Sequence, residues 1–447
     1  MNLFPMLKQR EQDGNPIRVG LIGAGKFGAM FLSQAHRTPG ILVVAVADLD
    51  TRRVHAALTE TGWPAERIST SSLTEALAKG KTAVTDDPMA MIETNGLDVI
   101  IDATGDPEAG IRHALHGIEH GRHMIMVNVE ADVLAGPLLS QKAQAAGVVF
   151  SMAYGDQPAL ICEQLDWART CGLDVVAAGK GTLYMPEFHA STPDTVWGHY
   201  GLTPERAAEN GLNPKMFNSF LDGTKSAIEM AAVANATGLT PSANGLEFPP
   251  CSVDDLSSTL IPAADGGCLD HKGQVEVISS RSRDGIDLVN DLRWGVYVTF
   301  EAPSDYVERC FSDYGVKTDT SGRYASLWRP SHLIGLELGV SVAYAGLLGQ
   351  ATGMSQSFNA DVVATTKKDL IAGDTLDGEG GYSVWGKLMP ASLSLKVGAL
   401  PIGLAHGVTL KTDIAEGAVV RWADVNLDET RQSVCVRREM EQFFGNN

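Results

Sequence analysis

Short apolar runs separated by amphipathic stretches pattern the first third of the chain: residues 17–22, 42–48, 97–102, 124–127 and 148–152 are almost continuously aliphatic. Runs with so little alternation predict strands buried on both faces, and the helix-like segments between them predict crossovers, so a parallel sheet is expected. A helix over 136–146 leads into the last of these strands and closes the segment near Tyr154. Beyond Gly155 the pattern becomes a helix over 158–170, a strand over 173–178 and a polar, aromatic stretch to Pro214. A helix over 224–237, alternating strands over 274–279 and 294–300, and a small-residue helix over 332–348 follow. That order suits an antiparallel sheet covered by helices. The last helix contains Glu337 and sits at the low edge of membrane-spanning length, so it reads as buried in protein.

Near the C-terminus, Asp369-Leu370-Ile371-Ala372-Gly373 is echoed by Asp413-Ile414-Ala415-Glu416-Gly417, which predicts two similar turns of one small domain. The expected division is 1–154, 155–355 and 356–447.

The first strand runs into Gly23-Ala24-Gly25-Lys26-Phe27-Gly28 and then a helix. Gly23 permits the tight turn, Gly25 lets backbone approach a diphosphate, and Gly28 lets the helix pack on the strand with its amides facing the anion. The expectation is a Rossmann-type doubly wound domain holding a nicotinamide nucleotide. Asp48, ending the second strand, can accept the ribose hydroxyls, which favours NAD, whereas Arg52 and Arg53 can hold a ribose phosphate, which favours NADP. Ala103, Thr104 and Gly105 follow the fourth strand and should line the cofactor. Asn128 and Glu130 end the next strand on the same edge, facing the substrate.

The chain has 447 residues, too many for one core, with 44% hydrophobic residues. Its net charge of −19 argues against nucleic acid and anionic membranes as partners. Six dispersed cysteines without a Cys-x-x-Cys pair argue against a disulfide framework or structural zinc, and residues 1–16 lack a secretory signal pattern, so a cytoplasmic protein is expected.

The segments 367–376, 400–405, 410–414 and 425–428 resemble the SAF domain, a small β-clip fold, and the N-terminal part resembles the NAD-binding domain of homoserine dehydrogenases. With the stretch from Trp328 to Glu337, the order looks like the homoserine-dehydrogenase-like, SAF-containing oxidoreductases, whose closest branch is the deoxyxylulose phosphate reductoisomerase-like enzymes. Homoserine dehydrogenases proper continue their last Rossmann strand into Asn-Lys, whereas this chain reads Val127-Asn128-Val129-Glu130, a departure that speaks against homoserine as substrate. The resemblance implies NADPH and a homo-oligomer. It also implies conversion of the phosphorylated hydroxyketone to methylerythritol phosphate for isoprenoid synthesis. A divalent cation such as Mg or Mn suits that rearrangement, because chelation stabilises enolate-like charge, and Asp222 and Glu229 are its candidate carboxylates. The rival readings are a plain dehydrogenase of another small polyol or amino-acid alcohol, and a nicotinamide-sensing binding protein.

Lys180, flanked by Gly179 and Gly181, is the leading cation for a substrate phosphate or a carbonyl about to accept hydride. Asp222 and Lys225 follow the aspartate–lysine pairing that the resemblance implies, with Glu229 one turn beyond, although all three also suit a helix cap and a helix-surface pair. Arg329, Ser331 and His332 precede the small-residue helix and can bind a phosphate at its start. Glu187 and His189 lie in the long polar stretch. His113, His116 and His120 share one predicted helix face, which reads as solvated surface because no acidic partner has metal-site spacing.

Overall fold

A computed structural model of the protein describes residues 2–68 and 72–445. The chain forms two compact units, Met1–Leu160 with His332–Gln356, and Ile161–Ser331 with Ser357–Asn447. This departs from three consecutive segments in two ways. Residues 332–356 return to the first unit, and the C-terminal β region shares a unit with the central sheet.

The first unit holds a six-stranded parallel sheet of Ile17–Ile22 (β1), Ile41–Ala47 (β2), Ala83–Thr85 (β3), Val99–Asp102 (β4), His123–Met126 (β5) and Phe150–Met152 (β6). Its order, β3-β2-β1-β4-β5-β6, reverses direction beside β1, the doubly wound Rossmann arrangement. Around it lie the helices Leu3–Gln12 (α1), Lys26–Ala35 (α2), Thr51–Glu60 (α3), Leu73–Lys79 (α4), Pro88–Glu93 (α5), Pro107–Glu119 (α6) and Val129–Ala145 (α7). α1 answers for the N-terminal arm: Leu7 is buried, and Arg10 Nη2 donates to the Gly346 carbonyl at 3.1 Å.

The helix expected over 332–348 is shorter. Residues 331–338 lack helix, an α-helix spans Gly339–Ala343, and a π turn spans Tyr344–Leu348. Gly335 stands at φ +81°, where a Cβ would crowd Met30 and the Phe27 carbonyl, so the chain turns there instead of coiling. Leu338, Val342 and Ala345 still join the core of the first unit, as the apolar run required.

The second unit is built on a four-stranded sheet, Asp174–Thr182 (β7), Gln274–Ser279 (β8), Val296–Glu301 (β9) and Tyr324–Arg329 (β10), ordered β10-β9-β7-β8. β7 pairs parallel to β8, while β7–β9 and β9–β10 are antiparallel, so the expected antiparallel sheet is mixed. The helix Thr224–Thr237 packs between this sheet and the C-terminal β region, which consists of Ala360–Thr366 (β11), Thr375–Asp377 (β12), Val384–Pro390 (β13), His406–Leu410 (β14) and Val425–Asn426 (β15). Asn235 on that helix accepts from Asn359 N and Ala360 N and donates to Ala360 O, which stitches β11 to it.

The sequence echo is a structural pair. Leu370 bridges Ile414, the Asp413 carboxylate accepts from Ala372 N (2.8 Å), and Asp369 accepts from Glu416 N (2.8 Å). Each turn caps the other.

α7 carries a fully buried carboxyl, Asp132, whose oxygens accept from Ser355 Oγ (3.2 and 3.0 Å). Burial pushes it from the usual 3.8 up to about 7, the serine only partly opposing. The native state therefore keeps a proton that the unfolded chain loses above about pH 4. Stability falls as pH rises from about 4 to about 7 and is level above, by at most about 1.4 kcal/mol per pH unit. Asp132→Asn should flatten that share of the dependence and gain on the wild type most near pH 8, measured as unfolding midpoints from pH 5 to 8.

Candidate functional site

In the first unit the glycine turn is braced from below. The Asp48 carboxylate, 7% exposed, accepts from Ala24 N (2.9 Å) and Asp50 N (3.0 Å), and Arg53 Nη1 lies 3.8 Å away. Asp48 thus fixes the turn as well as ending β2. Arg52 pairs with Asp50 and is 91% exposed, and Lys26 is exposed at the start of α2. Gly23 has φ +98°, and its Cβ would press on the Ala103 carbonyl, while a Cβ on Gly28 would overlap the Gly23 carbonyl. Gly25 differs: a Cβ built there meets nothing within 4 Å. The open space above Gly25, in front of first-turn amides that have no intrahelical acceptor, is the shape a diphosphate fills. The residues fit a dinucleotide.

The neighbouring edge loop is held by Asp102, fully buried at the end of β4. It accepts from Thr104 N (3.1 Å), Thr104 Oγ1 (2.7 Å), Asn128 Nδ2 (3.2 Å) and His113 Nδ1 (2.6 Å). Ala103, Thr104 and Gly105 therefore lie on a rigid loop beside the glycine turn. Asn128 is not free for substrate: its amide also donates to Asp106 O (2.7 Å), and its carbonyl caps α7 at Ala131 N (3.1 Å). Glu130 sits in the first turn of α7, where its charge suits the helix dipole. His113, expected at the surface, is buried because Asp102 needs a donor there.

In the second unit Lys180 lies within β7, not in an exposed turn. Gly179 and Gly181 make room for neighbouring backbone, not for a ligand: Cβ atoms there would overlap the carbonyls of Glu276 and Leu292. The Lys180 ammonium, with its side chain 8% exposed, pairs with Glu229 on the helix Thr224–Thr237. Glu229 thus reaches across to the sheet. Lys225 is half-buried one turn earlier on that helix.

Asp222 pairs with a lysine that sequence reading missed. Lys367 Nζ donates to Asp222 Oδ2 (2.8 Å), Ser191 O (2.7 Å) and Gly381 O (2.8 Å). Burial pushes the Asp222 carboxyl up, with the Lys367 ammonium and the Thr224 amide pulling against it. The Asp222 carbonyl accepts from His189 Nδ1 (2.7 Å), whose Nε2 accepts from Tyr184 OH (3.0 Å). His189 stacks on Trp385 (3.9 Å), and Tyr184 stacks on Phe248 (4.0 Å). Burial, with Lys367 and Lys387 nearby, pushes His189 down, and burial lifts Tyr184 to about 12, so this chain of donors is neutral at pH 7. Gly223, Phe248, Trp385 and Lys387 line a small recess beside it. Glu187 is exposed.

Glu276 on β8 is also buried, accepting from Val277 N (2.8 Å), Glu247 N (3.2 Å) and Phe248 N (3.3 Å), and burial lifts it to about 8. Nothing in its local sequence marks it.

Two expectations fail on geometry. Asp222 and Glu229 are each neutralised by a lysine, so a divalent cation would have to displace an ammonium from either; the pair does not fit a metal site. Arg329 ends β10, Ser331 is exposed, and residues 331–338 hold no helix, the next one starting at Gly339, so these side chains do not stand at a helix start.

Residues 155–338 match the family described as oxidoreductase DRL, catalytic domain. That segment contains Lys180, His189, Asp222, Glu229 and Glu276, on a chain with a dinucleotide cradle. That segment is thus similar to the catalytic domain of an oxidoreductase. No curated protein matches the chain. Among solved structures, the chain is similar to a homoserine dehydrogenase from Thiobacillus denitrificans at 20% identity, over 50% of this chain and 49% of that one, with a TM-score of 0.36. It is similar to myo-inositol dehydrogenase from Lactobacillus casei in complex with NAD(H) and myo-inositol at 15% identity, over 41% and 50%, with a TM-score of 0.29. Biliverdin reductase from Synechocystis, in complex with biliverdin and NADP+, gives 16% identity over 43% and 55%, with a TM-score of 0.27. The chain thus spans about half the length of these relatives.

Gly25→Val should fold, since its space is open, yet weaken dinucleotide binding roughly thirtyfold, about 2 kcal/mol. Gly28→Ala should destabilise the first unit; fluorescence titration and melting of both variants separate the two effects. In the second unit, Glu229→Gln strands a buried ammonium and should cost about 3–5 kcal/mol, whereas Lys180→Met with Glu229→Leu should cost much less, read by denaturant unfolding.

Proposed function

We propose that the chain is an NADPH-dependent reductase of a small phosphorylated carbonyl compound, and that its reaction is the reductive isomerisation of deoxyxylulose phosphate to methylerythritol phosphate. The observation that carries this reading is the match of residues 155–338 to the oxidoreductase DRL catalytic domain, with the buried Lys180–Glu229 pair inside it. Arg52 and Arg53 beyond β2 support NADPH, since a guanidinium there accommodates a 2′-phosphate. The nucleotide supplies hydride. Lys180 stabilises the oxygen that gains charge as hydride arrives, and Glu229 keeps the ammonium in place and charged. Tyr184, whose hydroxyl donates to His189, accepts a hydrogen bond from a substrate hydroxyl. The C-terminal β region, read as an SAF domain, anchors Asp222 through Lys367 and so fixes the start of the Glu229 helix.

One observation favours the simpler alternative of carbonyl reduction without rearrangement: the two carboxylates suited to chelation are held by lysines. Mixing the protein with deoxyxylulose phosphate, NADPH or NADH and magnesium, and following cofactor absorbance and product carbon connectivity by NMR, decides between them. Branched product with NADPH preferred is expected; an unbranched alcohol would leave the simple reductase. Lys180→Met should lower kcat by on the order of 10²-fold with dinucleotide affinity unchanged.

A further inference from the structure

Helices α5 and α6 bring together three side chains that no part of the proposed reaction uses. Glu93 ends α5, His116 lies in the last turn of α6, and His120 caps that helix. One carboxylate oxygen and one nitrogen from each ring all lie within 4.8 Å of one another. His116 Nε2 stands 3.1 Å from Glu93 Oε1, close to the ~3.3 Å that separates two ligands on a tetrahedral zinc ion with bonds of about 2.0–2.1 Å. The ring centroids of His116 and His120 are 4.3 Å apart.

One of the two rings is already tethered in the manner of a metal's outer shell. His120 Nδ1 donates to the His116 carbonyl at 2.9 Å, which leaves its Nε2 as the lone-pair atom. His116 Nδ1 faces the Glu119 carboxylate at 3.9 Å while Nε2 faces Glu93. Nε2 is thus the atom of His120 left for a metal, and the C-terminal end of α6 favours positive charge through the helix dipole.

We propose that Glu93, His116 and His120 form a binding site for a borderline divalent transition ion, zinc above all, with water as the fourth ligand. Two imidazoles and one carboxylate select zinc, cobalt, nickel or copper over magnesium and calcium, which prefer all-oxygen shells. The site lies at the ends of α5 and α6 that precede β4 and β5, the edge of the sheet opposite the glycine turn. Its role is to clip the two crossover helices together, not to take part in hydride chemistry. Neutral imidazole is the ligand, so protons compete with the metal for the site.

The test is calorimetric titration of the metal-stripped full chain with zinc chloride, and separately magnesium chloride, in a non-chelating buffer near pH 7.5, with thermal melting alongside. One saturable zinc site and a higher melting midpoint are expected, with no magnesium response. His116→Ala and His120→Ala should each weaken binding roughly tenfold or more, and Glu93→Gln less. All three variants should melt like the wild type without metal, because their side chains leave the core intact. The proposal is overturned if zinc shows no saturable binding below roughly 100 µM, or if the double histidine variant titrates like the wild type.

Discussion

A buried carboxylate must find a cation or keep its proton, and that constraint organises both units. Asp222 has Lys367, Glu229 has Lys180 and Asp361 has Arg437 (2.6 Å), while Asp102 gathers four donors, the His113 ring among them. Asp132 and Glu276 have only uncharged donors, from serine, glutamine or backbone, and their acidity weakens to about 7 and 8. Desolvation costs each ion several kcal/mol in the interior, so these pairings decide which backbone segments can be neighbours at all. Asp102 draws the edge loop, α6 and the start of α7 to one point. Asp222 ties the loop carrying His189 to the C-terminal β region.

The same rule separates structure from chemistry. Arg437 and Asp361 are fully buried, with Ser394 and Glu441 completing the set. The Asp222 group adjoins aromatic walls and a small hollow, and Glu276 sits behind the loop that forms one of those walls. A proton-holding acid near pH 8 and a neutral histidine–tyrosine relay give the second unit groups able to trade protons at neutral pH.

Local chemistry made much of this legible in the sequence. The glycine turn, the helix Thr224–Thr237 and the strand Gln274–Ser279 follow from short-range signals, and the structure has them where expected. Pairings across the chain were not legible: Lys180 meets a residue 49 positions away and Asp222 one 145 positions away, and no spacing rule connects them. The missed β3 is three residues long, too short for periodicity to register. The overlong helix after Ser331 failed for a different reason, because its composition is helical while a single glycine packs against α2 in a conformation that ends regular coiling. Glu93 escaped notice as a companion of the histidines since it comes from the preceding helix.

The two glycines beside Lys180 carry a consequence for how β7 assembles. Because side chains alternate across a strand, sliding β7 by one residue against its neighbours would drive the long lysine into the crowded side, where even a methyl group collides with carbonyl oxygen. The misaligned sheet is thus barred by steric exclusion rather than merely disfavoured, and the ammonium can emerge only toward the helix that carries its counter-ion. Replacing either glycine would remove that ratchet and so corrupt the placement of the charge without touching the charged residue itself.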